Sequence, residues 1–163
     1  MQQAPAAFTC RPMQLADLPA LAECLPEVLS GNWAEAHLQS QMHSSHEFLV
    51  LVRNNATQQT IVGFAEFYCV VDECHLLNFA ILRPWQQQGL GQIFMREFLL
   101  AIHKRDCVRC LLEVRCSNQQ AVRFYEKTGF ILDGVRRAYY PPVAKDGRRE
   151  DALLYSWSLS ASC

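Results

Sequence analysis

Between residues 85 and 104 the chain reads WQQQGLGQIFMREFLLAIHK, two glycines one residue apart running straight into a long apolar-faced segment. No other stretch restricts the fold as much. Leu90, Phe94, Phe98 and Ile102 recur every four residues, with Ile93 and Ala101 in support and Gln92, Arg96 and Lys104 on the other side. That is the spacing of an amphipathic helix laid on a sheet. An apolar run from Leu76 to Leu82 comes before it, so the order is strand, glycine turn, helix. In such a turn successive backbone N–H groups point outward, and the helix dipole favours an anion. Two familiar phosphate loops are excluded. A dinucleotide fingerprint needs a third glycine where Phe94 stands, and the Gly-Lys-Ser/Thr of a Walker loop is absent. A tight strand-to-helix connection with no ligand satisfies the same pattern, and the segment alone leaves both readings open.

The elements around it set the fold class. Phe8 to Arg11 reads as a short strand, Asp17 to Leu25 as a helix with Pro19 in its first turn, and Asn32 as the cap of a second helix through about Met42. Phe48 to Val52, with Asn54-Asn55 as its turn, and Ile61 to Val71 are strand-like. Leu111 to Arg115 is a further strand. Asn118 caps a helix from Gln119 to Lys127 that Gly129 closes. Phe130 to Val135 and Asp151 to Leu159 are closing strands joined by the Pro141–Arg149 loop. The expectation is a mixed α/β fold in one domain, residues 1–163.

Composition excludes several classes of function. A net charge of −1 and a pI near 6.5 argue against general nucleic-acid or membrane-surface binding. No run approaches the roughly 18 apolar residues of a membrane span, and MQQAPAAFTC lacks the blocks of a signal peptide. The expected location is the cytoplasm. Eight cysteines raise the question of zinc, with Cys69, Cys74, Cys107 and Cys110 as the candidate set. Cys69 and Cys110 sit within apolar strand-like runs, where cysteine acts as a small buried hydrophobe. The five histidines show no ligand spacing. No metal is expected.

The glycine turn gains its meaning from residues 112 to 130. Gln86-Gln87-Gln88-Gly89-Leu90-Gly91 resembles the Q/R-x-x-G-x-G/A signature of GCN5-related N-acetyltransferases, and LEVRCSNQQAVRFYEKTGF resembles that superfamily's second half. The nearest likeness is to bacterial ribosomal-protein-alanine N-acetyltransferases (RimI-type). In these, L-E-V-R-x-S-N, then L/F-Y-E-x-x-G-F, R-R-x-Y-Y-P and G-R-E-D-A occur in this order. The likeness covers most of the chain from Asn78 to Leu154. It implies a GNAT-like fold, with a central, mostly antiparallel twisted sheet of about six to seven strands and about four helices.

The resemblance also implies roles. Acetyl-CoA would be the acetyl donor, bound by Phe79, Ala80 and Ile81 along the pantetheine arm and by Gln87, Gln88, Gly89, Leu90, Gly91 and Gln92 at the pyrophosphate. Asn118 would add a coenzyme contact, although its N-cap position alone accounts for it. Arginine is frequent in the family's turn, and here Gln86 to Gln88 carry no charge. An α-amine has a pKa near 8, so transfer at neutral pH needs a base. Glu113, in an apolar-looking strand, is that base by resemblance. The alternative is a structural carboxylate paired with Arg115 or Arg109. Tyr125 would be the acid that protonates the coenzyme thiolate, against the alternative of a core tyrosine. Arg136 to Pro141 would flank a peptide groove.

The implied acceptor is the N-terminal alanine of a small-subunit ribosomal protein. Attack would be direct, through a ternary complex, by a protein expected to be a monomer. Other readings stay open: transfer to a lysine, a polyamine or another small-molecule amine; a non-catalytic acetyl-CoA-binding module; and a zinc-binding interaction domain.

Overall fold

The computed structural model describes residues 7–24, 40, 44–55, 58–142 and 147–159. Its strands are β1 (Ala7–Pro12), β2 (Glu47–Asn54), β3 (Gln59–Val70), β4 (Glu73–Ile81), β5 (Arg109–Arg115), β6 (Ile131–Tyr140) and β7 (Glu150–Ser158). They hydrogen-bond in the order β1-β2-β3-β4-β5-β7-β6. Three α-helices accompany them among the described residues: α1 (Leu18–Cys24), α2 (Leu90–His103) and α3 (Gln119–Lys127). The sheet is mostly antiparallel, with β4 and β5 as a parallel pair, so the expected α/β architecture holds. The helix expected between Asn32 and about Met42 falls almost wholly outside the described residues.

The chain forms two compact units. The first comprises Met1–Tyr68 and Asn78–Ala101. Here β1, β2 and β3 form an antiparallel run, with Val50 opposite Phe64 and Phe48 opposite Glu66. Because side chains alternate along a strand, Phe48, Val50 and Phe64 share one face, where they pack with Met13, Leu18 and Leu21 of the α1 region. Phe67, three residues beyond Phe64, turns to the other face and meets Phe98 of α2 edge-on, at 5.2 Å between ring centroids. Phe79 of β4 stacks on Phe94 at 4.9 Å. The core of α2 is Leu90, Phe94, Met95 and Phe98, all buried. Ile93, expected to support that stripe, is exposed, and Met95 takes its place.

Gly63 makes this packing possible. A Cβ there would lie 2.9 Å from Ile81 Cδ1, 3.1 Å from Phe94 Cδ1 and 3.2 Å from the Ala80 carbonyl. Its missing side chain lets β3 approach the end of β4 and helix α2 together.

The second unit comprises Cys69–Leu77 and Ile102–Cys163. β5 pairs with β4 from Glu73↔Arg109 to Leu76↔Leu112 and with β7 along its whole length. Its burial alternates: Cys110, Leu112 and Val114 are buried, while Leu111, Glu113 and Arg115 are only partly covered. The cysteines follow that core. Cys74 and Cys110 sit opposite each other across β4 and β5, both buried, and Cys107 is buried too. No three His, Cys, Asp or Glu side chains gather as a metal site among the described residues.

Helix α3 has the bounds that the sequence indicates. Asn118 Oδ1 accepts from the Ala121 N–H at 3.2 Å. Gly129, at φ +93, takes the left-handed C′ position. β6 runs on past the expected Val135 to Tyr140, with register shifts between Leu132 and Gly134 and between Arg136 and Tyr140. The motif from Arg136 to Tyr140 is therefore strand, bent by a bulge.

Candidate active site

In the first unit the residues assigned to the coenzyme occupy the end of β4 and the start of α2. Phe79, Ala80 and Ile81 are the last residues of β4, and the Phe79 ring is fixed against Phe94 and Phe98. A short 3-10 turn, Arg83–Trp85, follows. Gln86 then reaches back, its Nε2 donating to the Ile81 carbonyl at 2.8 Å, and Gln88 Nε2 donates to the Pro84 carbonyl at 3.1 Å. These side chains shape the turn, which explains why uncharged glutamines stand there.

The turn has two left-handed residues, Gln87 at φ +60 and Gly89 at φ +76. Nothing lies within 4 Å of where a Gly89 Cβ would stand, so a ligand can approach the backbone from the open side. The Gln92 and Ile93 N–H groups both turn to the Gly89 carbonyl. Those of Leu90 and Gly91, in the first turn of α2, have no acceptor within the helix. Open backbone, outward N–H groups and the positive end of a 14-residue helix fit a diphosphate without side-chain charge.

In the second unit Glu113 is half-buried, its carboxylate 2.8 Å from the Arg136 guanidinium. Neither partner weighed from the sequence holds it. Arg115 pairs with Glu150 at 3.1 Å, and Arg109 with Glu73 and Asp133, each at 3.3 Å. The alternation of β5 is the reason: Glu113 lies on the partly covered face, within reach of β6, and not in the apolar face with Leu112 and Val114.

Tyr125 is buried on α3, its ring meeting those of Phe124 and Phe130 at 5.5 Å. Burial, with Cys110 and Tyr140 adding to it, pushes the phenol well above its ordinary range, so it stays protonated. Val122 is buried beside it on α3, as the helical spacing implies. Asn118 is exposed, and its side-chain oxygen caps α3.

Tyr140, which the sequence places in the Arg136–Pro141 motif, is felt electrostatically by both Glu113 and Tyr125. Its own phenol is raised by burial and by the Glu113 carboxylate, and it contributes to the raised state of Tyr125. The Arg115 guanidinium lies over its ring, 4.4 Å from the centroid.

The last part of the chain holds this group in place. The Ala138 N–H donates to Asp151 Oδ1 at 2.7 Å, with Ala138 itself in a left-handed conformation at φ +49. Arg149 donates from Nε to the Ala138 carbonyl at 2.7 Å and from its guanidinium to that of Tyr139. Glu150 accepts from the Ser117 N–H at 2.6 Å and from Arg115 at 3.1 Å. Hydrogen bonds from Ser117, side chain and backbone, and from Arg115 pull its carboxyl down to about 2. The successive residues Arg149, Glu150 and Asp151 thus fix the β6 bulge and the approach to α3, which sets Arg136 against Glu113.

Comparison with known proteins gives this arrangement a context. The model described as the Acetyltransferase (GNAT) family matches residues 18–130. A protein of Escherichia coli (strain K12) named [ribosomal protein bS18]-alanine N-acetyltransferase is 32% identical over 152 residues, 93% of this chain and 98% of that one. The crystal structure of the ribosomal-protein-S18-alanine N-acetyltransferase from Escherichia coli superposes with a TM-score of 0.79 at 30% identity, covering 96% of this chain and 97% of the other. A GNAT family acetyltransferase from Elizabethkingia anophelis with acetyl-CoA bound shares the fold, with a TM-score of 0.74 at 21% identity over 93% of this chain and 98% of that one.

Proposed function

The chain belongs to the GNAT family of acetyltransferases, and from that premise we propose that it acetylates the α-amine of a protein N-terminal alanine. It is an acyltransferase, and acetyl-CoA is the donor. The observation that carries the alanine reading is the overlap with the bS18-alanine N-acetyltransferase of Escherichia coli, which spans 98% of that protein. By that likeness the acceptor is a small-subunit ribosomal protein, met in the cytoplasm by a monomer in which residues 1–163 act as one acetyltransferase domain.

Phe79, Ala80 and Ile81 bind the pantetheine arm through the β4 backbone. Gln87, Gln88, Gly89, Leu90, Gly91 and Gln92 bind the pyrophosphate, and Asn118 adds a contact to the coenzyme. Bound acetyl-CoA supplies the acetyl group as a thioester. Glu113 removes a proton from the acceptor amine, the task for which a carboxylate on the partly covered face of β5 is suited. Tyr125, held protonated by its burial, gives its hydroxyl proton to the departing sulfur. Transfer is direct, since no cysteine stands at a motif position as an acyl carrier.

The test is thiol release by Glu113→Gln and Tyr125→Phe beside the native protein. Each is expected to lose about 10²–10⁴-fold in turnover, with coenzyme binding, read by equilibrium dialysis, unchanged. Native turnover by either variant removes that residue from the mechanism. Coenzyme binding without turnover by the native protein would leave only an acetyl-CoA-binding module.

A further inference from the structure

The first unit contains a second acid–base arrangement that the proposed mechanism does not use. Glu66 of β3 is only 2% exposed, yet it is a carboxylate on the face of the sheet that carries Phe48 and Phe64. Both its oxygens are engaged. Oε1 lies 2.7 Å from His46 Nδ1, and Oε2 accepts from Asn78 Nδ2 at 2.7 Å. The His46 ring stacks on Tyr68, at 5.8 Å and 20°, and the side chain keeps 24% of its surface exposed. Glu66 and Tyr68, both of β3, are titratable groups that face the ring.

A buried carboxylate that already accepts from Asn78 is an acceptor toward His46 as well, so the shared proton belongs on Nδ1. The outer nitrogen, Nε2, is then the proton-accepting position of a neutral ring. No described side-chain nitrogen or oxygen is fully buried without a partner, and no described residue bonds Nε2, so Nε2 reaches the surface. A carboxylate that fixes one imidazole nitrogen while the other stays open is the arrangement by which a histidine is oriented to take a proton. Burying a carboxylate costs desolvation that its hydrogen bonds only offset, a poor route to stability alone. The location agrees with a role in the reaction: Asn78 immediately precedes Phe79, Ala80 and Ile81, the stretch of β4 assigned to the coenzyme.

We propose that His46, held by Glu66, whose other oxygen Asn78 fixes, is a second catalytic base, one that receives the primary ammonium group of the acceptor and takes its first proton. This rests on the acetyltransferase reading above. An N–H proton passes to His46 Nε2 and from there to solvent, and the freed lone pair forms the N–C bond to the thioester carbonyl. The C–S bond breaks, and the second surplus proton on nitrogen ends on the departing sulfur. The net products are the amide, the thiol and one proton.

The test is the pH dependence of thiol release with an alanine-start peptide, for native protein, His46→Gln and Glu66→Gln. The melting temperature and coenzyme binding of each are followed in parallel. An acceptor with a pKa near 8 deprotonates itself in alkali. Each variant is therefore expected to be about ten- to a hundredfold slower near pH 7 and to approach the native rate as the pH rises past the amine pKa. A loss that is the same at every pH, or no loss, overturns the proposal. Should the native protein prefer a polyamine or a lysine peptide, the alanine reading falls, and the same series with that amine decides the base. If no amine is turned over, the ¹⁵N resonances of the imidazoles decide. Added alaninamide is expected to move His46 Nε2, and an unmoved signal overturns the assignment.

Discussion

The proposed mechanism gives Tyr125 and Glu113 opposite tasks, and their surroundings differ in the matching sense. Tyr125 is enclosed by Phe124 and Phe130, where a phenolate has no solvation. Glu113 is half-exposed beside a guanidinium, so its charge is balanced and its carboxylate accessible. The raised phenol has a consequence for stability. Its folded pKa lies above the unfolded value near 10, so the unfolded chain releases the proton first as the solution turns alkaline. The contribution to stability is complete below about pH 10 and declines above it. Between about pH 9 and 11 the melting temperature of Tyr125→Phe should therefore fall less steeply than that of the native protein. Parallel curves would place the phenol in solvent.

Two element-scale features couple stability to the site. Gly63 allows β3, Ile81 and Phe94 to meet, and Gly63→Ala places a methyl group where three atoms already stand. Overpacking of this kind costs about 1–3 kcal/mol. The expected result is a lowered melting temperature and weaker coenzyme binding, because Ile81 is displaced. A melting temperature equal to the native one would mean that the strands yield freely. On β6, Asp151 holds the Ala138 N–H within a left-handed bulge. Asp151→Ala is expected to lower stability by about 1 kcal/mol, the worth of a typical hydrogen bond. It should lower turnover more than it lowers coenzyme affinity, since Arg136 and Tyr140 lose their support. Equal losses in both would detach the bulge from the chemistry.

These elements also show what a linear reading reaches. Helix α3 was legible to the residue, because Asn118 and Gly129 act on backbone within one turn of themselves. The strands were legible to within a few residues for the same reason. The bulge in β6 was not, since the aspartate that stabilises it stands 13 positions further on. The partner of Glu113 escaped likewise. Arg115 and Arg109 are near in sequence, whereas Arg136 arrives only when β6 pairs with β7 and β7 with β5.

At the scale of the whole molecule, the residues assigned to the coenzyme between Phe79 and Gln92 belong to the first compact unit, and Glu113, Asn118 and Tyr125 belong to the second. The family could be read from two short motifs because each encodes a backbone task within its own unit, a glycine turn in one and a capped helix after β5 in the other. The His46, Glu66 and Asn78 group left no such mark, because its members span 32 positions and meet only in the fold, at 2.7 Å.

In the proposed function the acetyl group goes to the α-amine of an N-terminal alanine. The most direct measurement is mass spectrometry of the product from a peptide that begins with alanine and also contains lysine, incubated with the protein and acetyl-CoA. The same peptide with a blocked N-terminus and a polyamine serve as comparisons. One acetyl group on the alanine nitrogen is expected, and no reaction of the blocked peptide or the polyamine. An acetyl group on the lysine, or turnover of the polyamine in preference to the peptide, would contradict it.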